Sequence, residues 1–509
     1  MSEGAPENEP ETQGNGSESR EPIDSELFDA VRAFVFEARE HYIEYRETGK
    51  YMSKIHDLPK YDEFDSGFPH ITITNAFNSD VPDYKGALGA KEGEFTPIAF
   101  GGWESFKRLL ELADNHEGLK RSFLIDPAKV EDEFGERFWH FEVTRLPLAV
   151  FDRLMHVYGD EFTEGNLRHV YCQLELGVLG EDLPIVLAVP ILLTKFEPEV
   201  FAIDTNVAIL RMSKEQHLAR ISRWNRLGSS VNEVVAHAAT HMLIFVNWTM
   251  PNLKGSPSPP YKQLDWYPVE EIDRFFDALR VVTGIETGYA DAFIIPERQE
   301  WAYDFRRDLP AVVEGASARR YPSNFDNFGW NREREPLTEE QLVEVSEIYR
   351  GLGGRDSIGL AARRLSAGML RETEDDAVLD LLIGLEAVLS DQDKGELTFK
   401  LALRTAAVLG QLPTYNPGII FGQVKRLYAY RSAVAHGQSK KVGKLRTIIS
   451  GDEEIPAISL ATEFLREVIR QLVKRPDLTS PGDIDSRLIL QSLGASSSDA
   501  DPNDSAEIT

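Results

Sequence analysis

The sequence predicts an α+β multidomain protein, in which a mixed α/β N-terminal domain is followed by a helical region and an all-α helical bundle. Its 509 residues are enough for about three domains of ordinary size. Two patterns support this fold class. Short segments with strand-like alternation are frequent before residue 212, and apolar residues recur with a helical period from there to residue 475.

The overall composition is acidic. The 84 Asp and Glu residues outnumber the 55 Lys and Arg residues and give a formal net charge of −29. Averaged over the chain, this charge repels phosphate and excludes a generally basic protein that coats nucleic acids or anionic membranes. The single cysteine, Cys172, excludes an intramolecular disulfide and a zinc cluster built from several cysteines.

Both ends of the chain are predicted to be disordered acidic tails. Residues 1–24 and 493–509 are rich in Glu, Asp, Ser, Gly, Asn and Pro, so they bury too little apolar surface to fold. The second tail ends a C-terminal segment that spans residues 476–509. The N-terminus lacks the basic and apolar stretches of a signal peptide, and no apolar run is long enough to span a bilayer. We therefore expect a soluble cytoplasmic protein with no membrane partner.

Residues 25–212 are predicted to form an α+β domain of unknown role. Alternating or continuous apolar runs indicate its strands, and amphipathic spacing indicates its helices. The predicted strands are Ile71–Thr74, Trp139–Val143, Ile185–Leu193 and Val207–Leu210, with Cys172 in a further strand-like run. The predicted helices are Ser25–Glu47, Trp103–Ala113 and Leu146–Tyr158.

Residues 213–335 are predicted to form a helical middle region. Apolar spacing indicates helices over Val231–Asn247 and Val269–Val282. A proline-rich stretch at residues 251–260 predicts a stiff loop between them, and the polar stretch Tyr321–Pro336 predicts a domain boundary.

A pair of histidines in this middle region raises the possibility of a metal hydrolase. His237 and His241 have the i, i+4 spacing of a zinc-binding helix. The Glu that such a site requires directly after the first His is Ala238 in this chain, and no third ligand is apparent. We favour core or capping histidines and predict no metal and no other cofactor.

Residues 336–475 are predicted to form an all-helical bundle. Thr338 and Gln341 have the spacing of a capping box, which begins a helix. Asn416 and Pro417 supply an N-cap and a first-turn proline for a later helix. The helices after the first are expected over Asp356–Arg371, Asp375–Leu389, Glu396–Leu409, Pro417–Ala435 and Pro456–Lys474.

The acidic charge is distributed unevenly. Residues 397–451 are 55 consecutive residues without an Asp or a Glu, and nine of them are basic. Buried helices need no carboxylates, but a basic cluster between Lys440 and Arg446 follows a helix and should be exposed. This distribution predicts RNA as the anionic partner of the bundle. The candidate RNA-binding residues are Lys425, Arg426, Lys440, Lys441, Lys444 and Arg446.

Arg431 is predicted to lie buried on the apolar face of its helix, because apolar residues recur three and four positions away from it. A guanidinium keeps its charge, so burial requires a carboxylate or a phosphate beside it. Glu386 lies on the apolar face of another helix and is a candidate. Two interpretations stay open: an ion pair of Glu386 and Arg431 that joins two helices, or an Arg431 that binds a ligand phosphate.

His436 favours the second interpretation. It ends the helix five residues after Arg431, just before Gly437, a residue type common at helix C-termini. An imidazole exchanges protons near neutral pH, so it can take the proton of a ribose 2′-hydroxyl or protonate a departing 5′-oxygen. An adjacent Arg can hold the scissile phosphate. Together these groups suffice for RNA cleavage without a metal.

Three segments of the bundle resemble the Apea-like HEPN family. Asp380–Leu389, Leu397–Ala406 and Tyr428–Gly437 follow one another in the family's order, and the last matches its Arg-x4-6-His motif. The resemblance covers only residues 336–475. It implies a HEPN-like helical bundle with endoribonuclease activity, often in antiviral abortive infection or toxin–antitoxin systems. It also implies a homodimer in which two such motifs face each other across one cleft.

Residue by residue, the resemblance makes Arg431 and His436 the catalytic pair and gives Glu386 and Arg404 supporting roles. Many members have Asn, Asp or His after the motif Arg, whereas this chain has Ser432, which can still form a hydrogen bond in support. Because some members are inactive, the alternative function is a HEPN module that only dimerises and binds RNA or nucleotides. The N-terminal region is expected to recognise an unknown trigger and to restrain the nuclease.

Overall fold

The structure, a computed structural model, is a mixed α/β protein. It describes residues 20–54, 60–72, 82–89, 100–123, 133–224, 233–252, 259–297, 301, 311–328, 333–391, 395–450 and 453–491. Of the tails predicted at residues 1–24 and 493–509, residues 1–19 and 493–509 lie outside the described residues. So do Ile73 and Thr74 of one predicted strand, residues 253–258 of the predicted loop and residues 329–332 of the predicted boundary. Residues 20–24 are described, and the prediction of disorder is wrong for them, because the amides of Ile23 and Asp24 donate hydrogen bonds to Glu175 at 2.7 and 2.9 Å.

The described residues form helices along the whole chain and strands mainly between residues 182 and 320. The helices are α1 Ser25–Glu47, α2 Tyr84–Ala87, α3 Glu104–Ala113, α4 Glu117–Phe123, α5 Glu133–Tyr158, α6 Glu164–Leu179, α7 Lys214–Trp224, α8 Glu233–His237, α9 Val269–Thr283, α10 Phe325–Phe328, α11 Glu339–Gly354, α12 Asp356–Met369, α13 Glu374–Leu389, α14 Leu397–Leu409, α15 Pro417–Ala435, α16 Ser439–Leu445, α17 Ala457–Lys474 and α18 Pro481–Ile484. The strands are β1 Lys60–Glu63, β2 Pro69–Thr72, β3 Asp182–Leu192, β4 Val200–Asp204, β5 Val207–Arg211, β6 Ala239–Pro251, β7 Tyr289–Pro296, β8 Val313–Arg320, β9 Thr447–Ser450 and β10 Glu453–Pro456.

Before residue 180 the chain is mainly a layer of packed helices, α1 to α6, and the short strands β1 and β2 are its described strands. Helix α1 begins where the Asp24 side chain accepts a hydrogen bond from the Leu27 amide, and its buried Phe34 packs on Trp103, the residue directly before α3. The strand predicted at Trp139–Val143 is wrong, because these residues belong to α5. The strand-like run around Cys172 is likewise part of α6. A short apolar run has the same pattern in a strand as in a buried stretch of helix.

Six strands form an antiparallel sheet in the order β4-β5-β6-β3-β7-β8. The helix predicted at Val231–Asn247 is wrong: only the short α8 precedes the long strand β6. Side chains of β6 are buried on both faces, Met242 in one core and Leu243 in the other, so its sequence reads as one continuous apolar run. Strands from both sides of residue 212 form this sheet, so the prediction of a separate helical middle region at 213–335 is wrong, although its helix Val269–Val282 is present as α9.

Helix α9 lies between the sheet and the C-terminal bundle. Its buried Phe275, Phe276 and Leu279 belong to a single apolar core that continues from the strands into α11, α12 and α17. On the bundle side, Arg466 of α17 donates hydrogen bonds to the backbone carbonyls at the end of α9, including that of Val282 at 2.8 Å. The sheet and the bundle therefore share one core.

A buried polar group at this junction should make the fold sensitive to pH. Asp277 of α9 accepts a short hydrogen bond from Ser366 of α12, which also accepts one from Arg280 at 3.1 Å. Burial raises the pKa of Asp277 to about 6, although Ser366 and Arg280 both lower it. The folded state therefore binds more protons than the unfolded state between pH 4 and pH 6, so stability is lost as the pH rises through this interval.

Relative to Asp277→Asn, which does not titrate, we expect the free energy of unfolding of the wild type to fall by about 2 kcal/mol from pH 4 to pH 7. Denaturant unfolding of both proteins at several pH values measures this difference. A difference that stays constant with pH would show that Asp277 does not titrate in this range.

The helices of the C-terminal bundle follow the sequence closely. The Thr338–Gln341 capping box is present at the start of α11, and Asn416 caps α15 with Pro417 in its first turn. The predicted helices of residues 336–475 are confirmed with ends that differ by one or two residues. The expectation of an all-helical region is wrong in one detail, because β9 and β10 form a hairpin between α16 and α17.

Candidate functional site

The Arg431 side chain meets Glu386 at the surface between α15 and α13. Arg431 Nη2 lies 3.6 Å from Glu386 Oε2, which confirms the predicted proximity of the two charges. The predicted full burial is wrong, because the side chains are 28% and 20% exposed. The buried face of α15 is centred on Leu427 and Tyr430, and Arg431 lies at its edge.

This ion pair leaves hydrogen-bonding capacity unused. Within the described chain, the buried Arg431 Nε and Glu386 Oε1 have no hydrogen-bond partner. Burial raises the pKa of Glu386, and the opposing charge of Arg431 only partly offsets that effect. The guanidinium also lies over the Tyr428 ring, 5.5 Å from its centroid. The Arg431 side chain is 28% exposed, and a guanidinium held in place at the surface is suited to bind an oxyanion.

His436 is exposed at the C-terminal end of α15. Its backbone amide donates to the carbonyl of Ser432 at 3.1 Å, and Gly437 ends the helix with a positive φ of 65°. Five residues at 3.6 per turn place His436 about 140° around the helix from Arg431. In the part of the chain that the structure describes, no hydrogen bond joins His436 to Arg431.

Arg404, predicted to support catalysis, is engaged in structural contacts. It is 4% exposed and donates to Asp485 from Nε and Nη2 at 2.9 and 2.7 Å, to Asp391 at 2.8 Å and to the Leu389 carbonyl at 2.8 Å. These contacts join α14 to the end of α13 and to the C-terminal segment. Each guanidinium nitrogen is therefore already hydrogen-bonded, and Arg404 has little capacity left for a substrate.

The predicted RNA-binding residues fall into two groups. Lys440, Lys441 and Lys444 are exposed on α16, directly after His436. The remaining three have neighbours within the protein. Lys425 lies 5.5 Å from the centroid of the Phe421 ring, Arg426 donates to the Ile449 carbonyl at 3.1 Å, and Arg446 forms ion pairs.

Residues 397–451 contain no Asp or Glu, but carboxylates from another part of the chain lie beside Arg446. It lies 3.0 Å from Asp375 and 3.4 Å from Glu374, both in the first turn of α13. Asp375 also accepts a hydrogen bond from Tyr430, whose pKa is raised to about 12 mainly by burial. The acidic first turn of α13 interacts favourably with the dipole of that helix and compensates the charge of Arg446. The lysines of α16, together with Lys425 and Arg426 of α15, are the candidate cations that have no carboxylate partner among the described residues.

The histidine pair of the metal alternative does not lie on one helix. His237 ends α8 and His241 belongs to β6, so the helical spacing on which that interpretation depends is wrong. Burial lowers the pKa of His237 to about 3 and that of His241 to about 4. Among the described residues, no three His, Cys, Asp or Glu side chains are arranged to hold a metal ion.

Sequence reasoning missed a second polar group, in the layer between the sheet and α7. Arg220 and Asp291 are buried there beside His217 and His237. The signal in the sequence is a set of polar residues in segments that are otherwise apolar, and it does not indicate that these segments meet.

Comparison with protein-family models, with curated proteins and with solved structures finds no match for this chain. No helix among the described residues is long and apolar enough to cross a membrane. The resemblance to the Apea-like HEPN family therefore stays a prediction, and the geometry around Arg431 is the basis for a functional proposal.

Proposed function

We propose that the chain is a metal-independent endoribonuclease of the Apea-like HEPN type, in which Arg431 and His436 carry out the cleavage. The observation that supports this most directly is the state of the Arg431 guanidinium. It is held beside Glu386 at 3.6 Å, yet its buried Nε has no hydrogen-bond partner among the described residues. By contrast, Arg404 in the same bundle is hydrogen-bonded through each of its guanidinium nitrogens.

The proposed reaction uses the ribose 2′-hydroxyl as the nucleophile. Its oxygen gives up its proton to the imidazole of His436 and attacks the adjacent phosphorus to form a 2′,3′-cyclic phosphate, while the bond from phosphorus to the 5′-oxygen breaks and the departing oxygen takes up a proton. His436 is exposed, so it can reach these protons, and Arg431 would stabilise the charge that develops on the phosphate oxygens. Glu386 acts as a positioning residue that orients Arg431. Ser432 directly follows Arg431 in α15 and can form a hydrogen bond in support.

We propose that the active form is a homodimer. The angle of about 140° between Arg431 and His436 around α15 separates the two groups within one copy. Two copies that pack through α15 would bring together an Arg431 and a His436 from different chains. Such a composite cleft agrees with the dimer that the family resemblance implies.

RNA is the proposed substrate because of the charge next to His436. Lys440, Lys441 and Lys444 present three exposed cations on a seven-residue helix. Cations of this kind bind phosphates irrespective of sequence and make affinity dependent on salt. Antiviral defence in the cytoplasm is the proposed setting, with the region before residue 336 as the part that responds to a trigger.

A binding-only role is the second candidate. The lack of a hydrogen bond between Arg431 and His436, and the Ser432 that replaces the usual polar residue, both favour it. In that case the bundle would bind RNA or nucleotides and dimerise without cleaving a phosphodiester.

The two functions are separated by the products formed from RNA. We expect the purified full chain to cleave single-stranded RNA in the presence of EDTA and to leave 2′,3′-cyclic phosphate and 5′-hydroxyl ends. Sequencing the 5′ ends of cellular RNA after induction would then identify the target. RNA bound but left intact would support the binding-only role, and RNA that is neither bound nor cleaved would contradict both proposals.

A further inference from the structure

A group of buried polar side chains lies on the sheet face that is opposite α9. We call it the Arg220 cluster: Arg220 and His217 of α7, His237 of α8 and Asp291 of β7. The four residues are 2–6% exposed and lie beside the apolar core that α7 and α8 form with this face of the sheet. The cluster is separate from the proposed nuclease site, which lies in the bundle beyond α9.

Arg220 is buried without hydrogen bonds. Its Nε, Nη1 and Nη2 atoms are all inaccessible and have no hydrogen-bond partner among the described residues. The nearest carboxylate oxygen, Asp291 Oδ1, is 3.6 Å from Nη1, and it too lacks a hydrogen bond. A guanidinium has five N–H donors, and donors that are buried unpaired are costly to the fold.

Two other buried arginines of this chain, Arg280 and Arg404, have their guanidinium groups hydrogen-bonded within the protein. Arg280 is also 3% exposed, and it donates to Ser366 at 3.1 Å and to the Thr287 carbonyl at 2.7 Å. Arg404 makes the four hydrogen bonds described above. Arg220 departs from this pattern, so hydrogen bonds among the described residues do not explain its burial.

The neighbouring imidazoles add further unpaired groups. His217 Nδ1 and His237 Nε2 are buried and have no hydrogen-bond partner in the described chain. Burial, and then the charge of Arg220, lower the pKa of each to about 3, so both are neutral at physiological pH. A neutral imidazole has one donor and one acceptor nitrogen. The cluster therefore has an excess of donors over acceptors, which suits an anion rather than a cation.

We propose that the Arg220 cluster binds a phosphate-class oxyanion, with Arg220 as the charged ligand and His217 and His237 as additional donors. The donors come from two helices and are more numerous than the two oxygens of a carboxylate can satisfy, so they fit the several oxygens of a phosphate better. The proposal does not depend on the nuclease activity. It gives the trigger-sensing role expected of the region before the bundle a ligand class that can be tested.

Thermal unfolding of the full chain tests this site. Inorganic phosphate and adenosine monophosphate are titrated at constant ionic strength, and acetate, a carboxylate anion, is titrated for comparison. We expect phosphate to raise Tm with saturation, because a ligand that binds only the folded state stabilises it. A rise with both phosphate probes would indicate that the free ion suffices, and a rise with the nucleotide alone would indicate a phosphate ester.

Variants locate the effect. Arg220→Met should abolish the rise in Tm, whereas Arg211→Met, an exposed Arg of β5, should keep it. If Arg220→Met does not fold, His237→Phe provides a second variant, which keeps the Arg220–Asp291 pair. It should weaken phosphate affinity about tenfold through the loss of one hydrogen bond to a charged group.

Three results would overturn the proposal. The first is no change of Tm with either phosphate probe. The second is an equal rise with acetate, which would exclude selectivity for phosphate. The third is a rise that persists unchanged in Arg220→Met, or in His237→Phe where the first variant does not fold.

Discussion

RNA cleavage by the purified chain is expected to fall by about two to four orders of magnitude when His436 is replaced by alanine, the range typical of a lost general acid or base. The fold should be unaffected. His436 is exposed, and the hydrogen bonds that end α15 are made by backbone atoms, from the amide of His436 to the Ser432 carbonyl and from that of Gly437 to the Val434 carbonyl. Initial rates in EDTA and thermal unfolding of the same preparation measure the two effects.

A matched control is available on another helix. His169 is also exposed, on α6, and lies 3.0 Å from Gln173. His169→Ala should cleave RNA at the wild-type rate. RNA binding should survive in His436→Ala, because the lysines of α16 are unchanged. Full activity of His436→Ala would remove this residue from the mechanism, even if the wild type cleaves RNA.

A test of regulation requires the whole chain. Residues 336–475 expressed alone are a natural choice from the sequence, and a nuclease freed from restraint should be more toxic than the full chain. The structure argues against this choice, because the bundle shares its core with α9 and the sheet, and Arg404 is bound by Asp485, beyond residue 475. An isolated bundle would expose apolar surface, so low toxicity would not distinguish regulation from misfolding.

The sequence predicted the bundle better than the sheet for a physical reason. Long amphipathic helices repeat their pattern over several turns and carry local end signals such as Thr338 and Asn416, so their limits are readable. Strand β6 has no such signals: it is buried on both faces, and a continuous apolar run fits a helix equally well. The same ambiguity turned Trp139–Val143 of α5 into a predicted strand.

The contacts of the candidate site could be predicted where a charged residue on an apolar helix face requires an opposite charge beside it. A charge on the apolar face of each of two helices made Glu386 a candidate partner of Arg431, one of the two interpretations left open, and the two charged groups lie 3.6 Å apart. The partners of Arg404 and Arg446 were not predictable, because Asp485 and Asp375 are 81 and 71 residues away along the chain. A segment without Asp or Glu can therefore still have its basic residues paired, because the carboxylates that pair with them come from distant parts of the chain.

Arg404→Met is expected to lower the free energy of unfolding by about 3 kcal/mol, because it removes a buried charge that four hydrogen bonds hold in place. Met fills a similar volume, so the loss reflects the polar contacts rather than a cavity. Asp391 and Asp485 are partly exposed and regain water, which keeps the cost below that of breaking a fully buried pair. Denaturant unfolding of both proteins measures the difference.

Lys400→Met on the same helix is the matched control, since Lys400 lies 3.3 Å from the same Asp391 but is more exposed than Arg404. Its cost should stay below about 1 kcal/mol, as for other surface ion pairs. If Arg404 is structural, Arg404→Met should cleave RNA at nearly the wild-type rate under conditions where it is folded. Unchanged stability with a selective loss of cleavage would instead restore the supporting catalytic role. A structural role predicts lower stability with unchanged cleavage, and a catalytic role predicts unchanged stability with lower cleavage. This pair of variants therefore decides whether the family resemblance extends to Arg404.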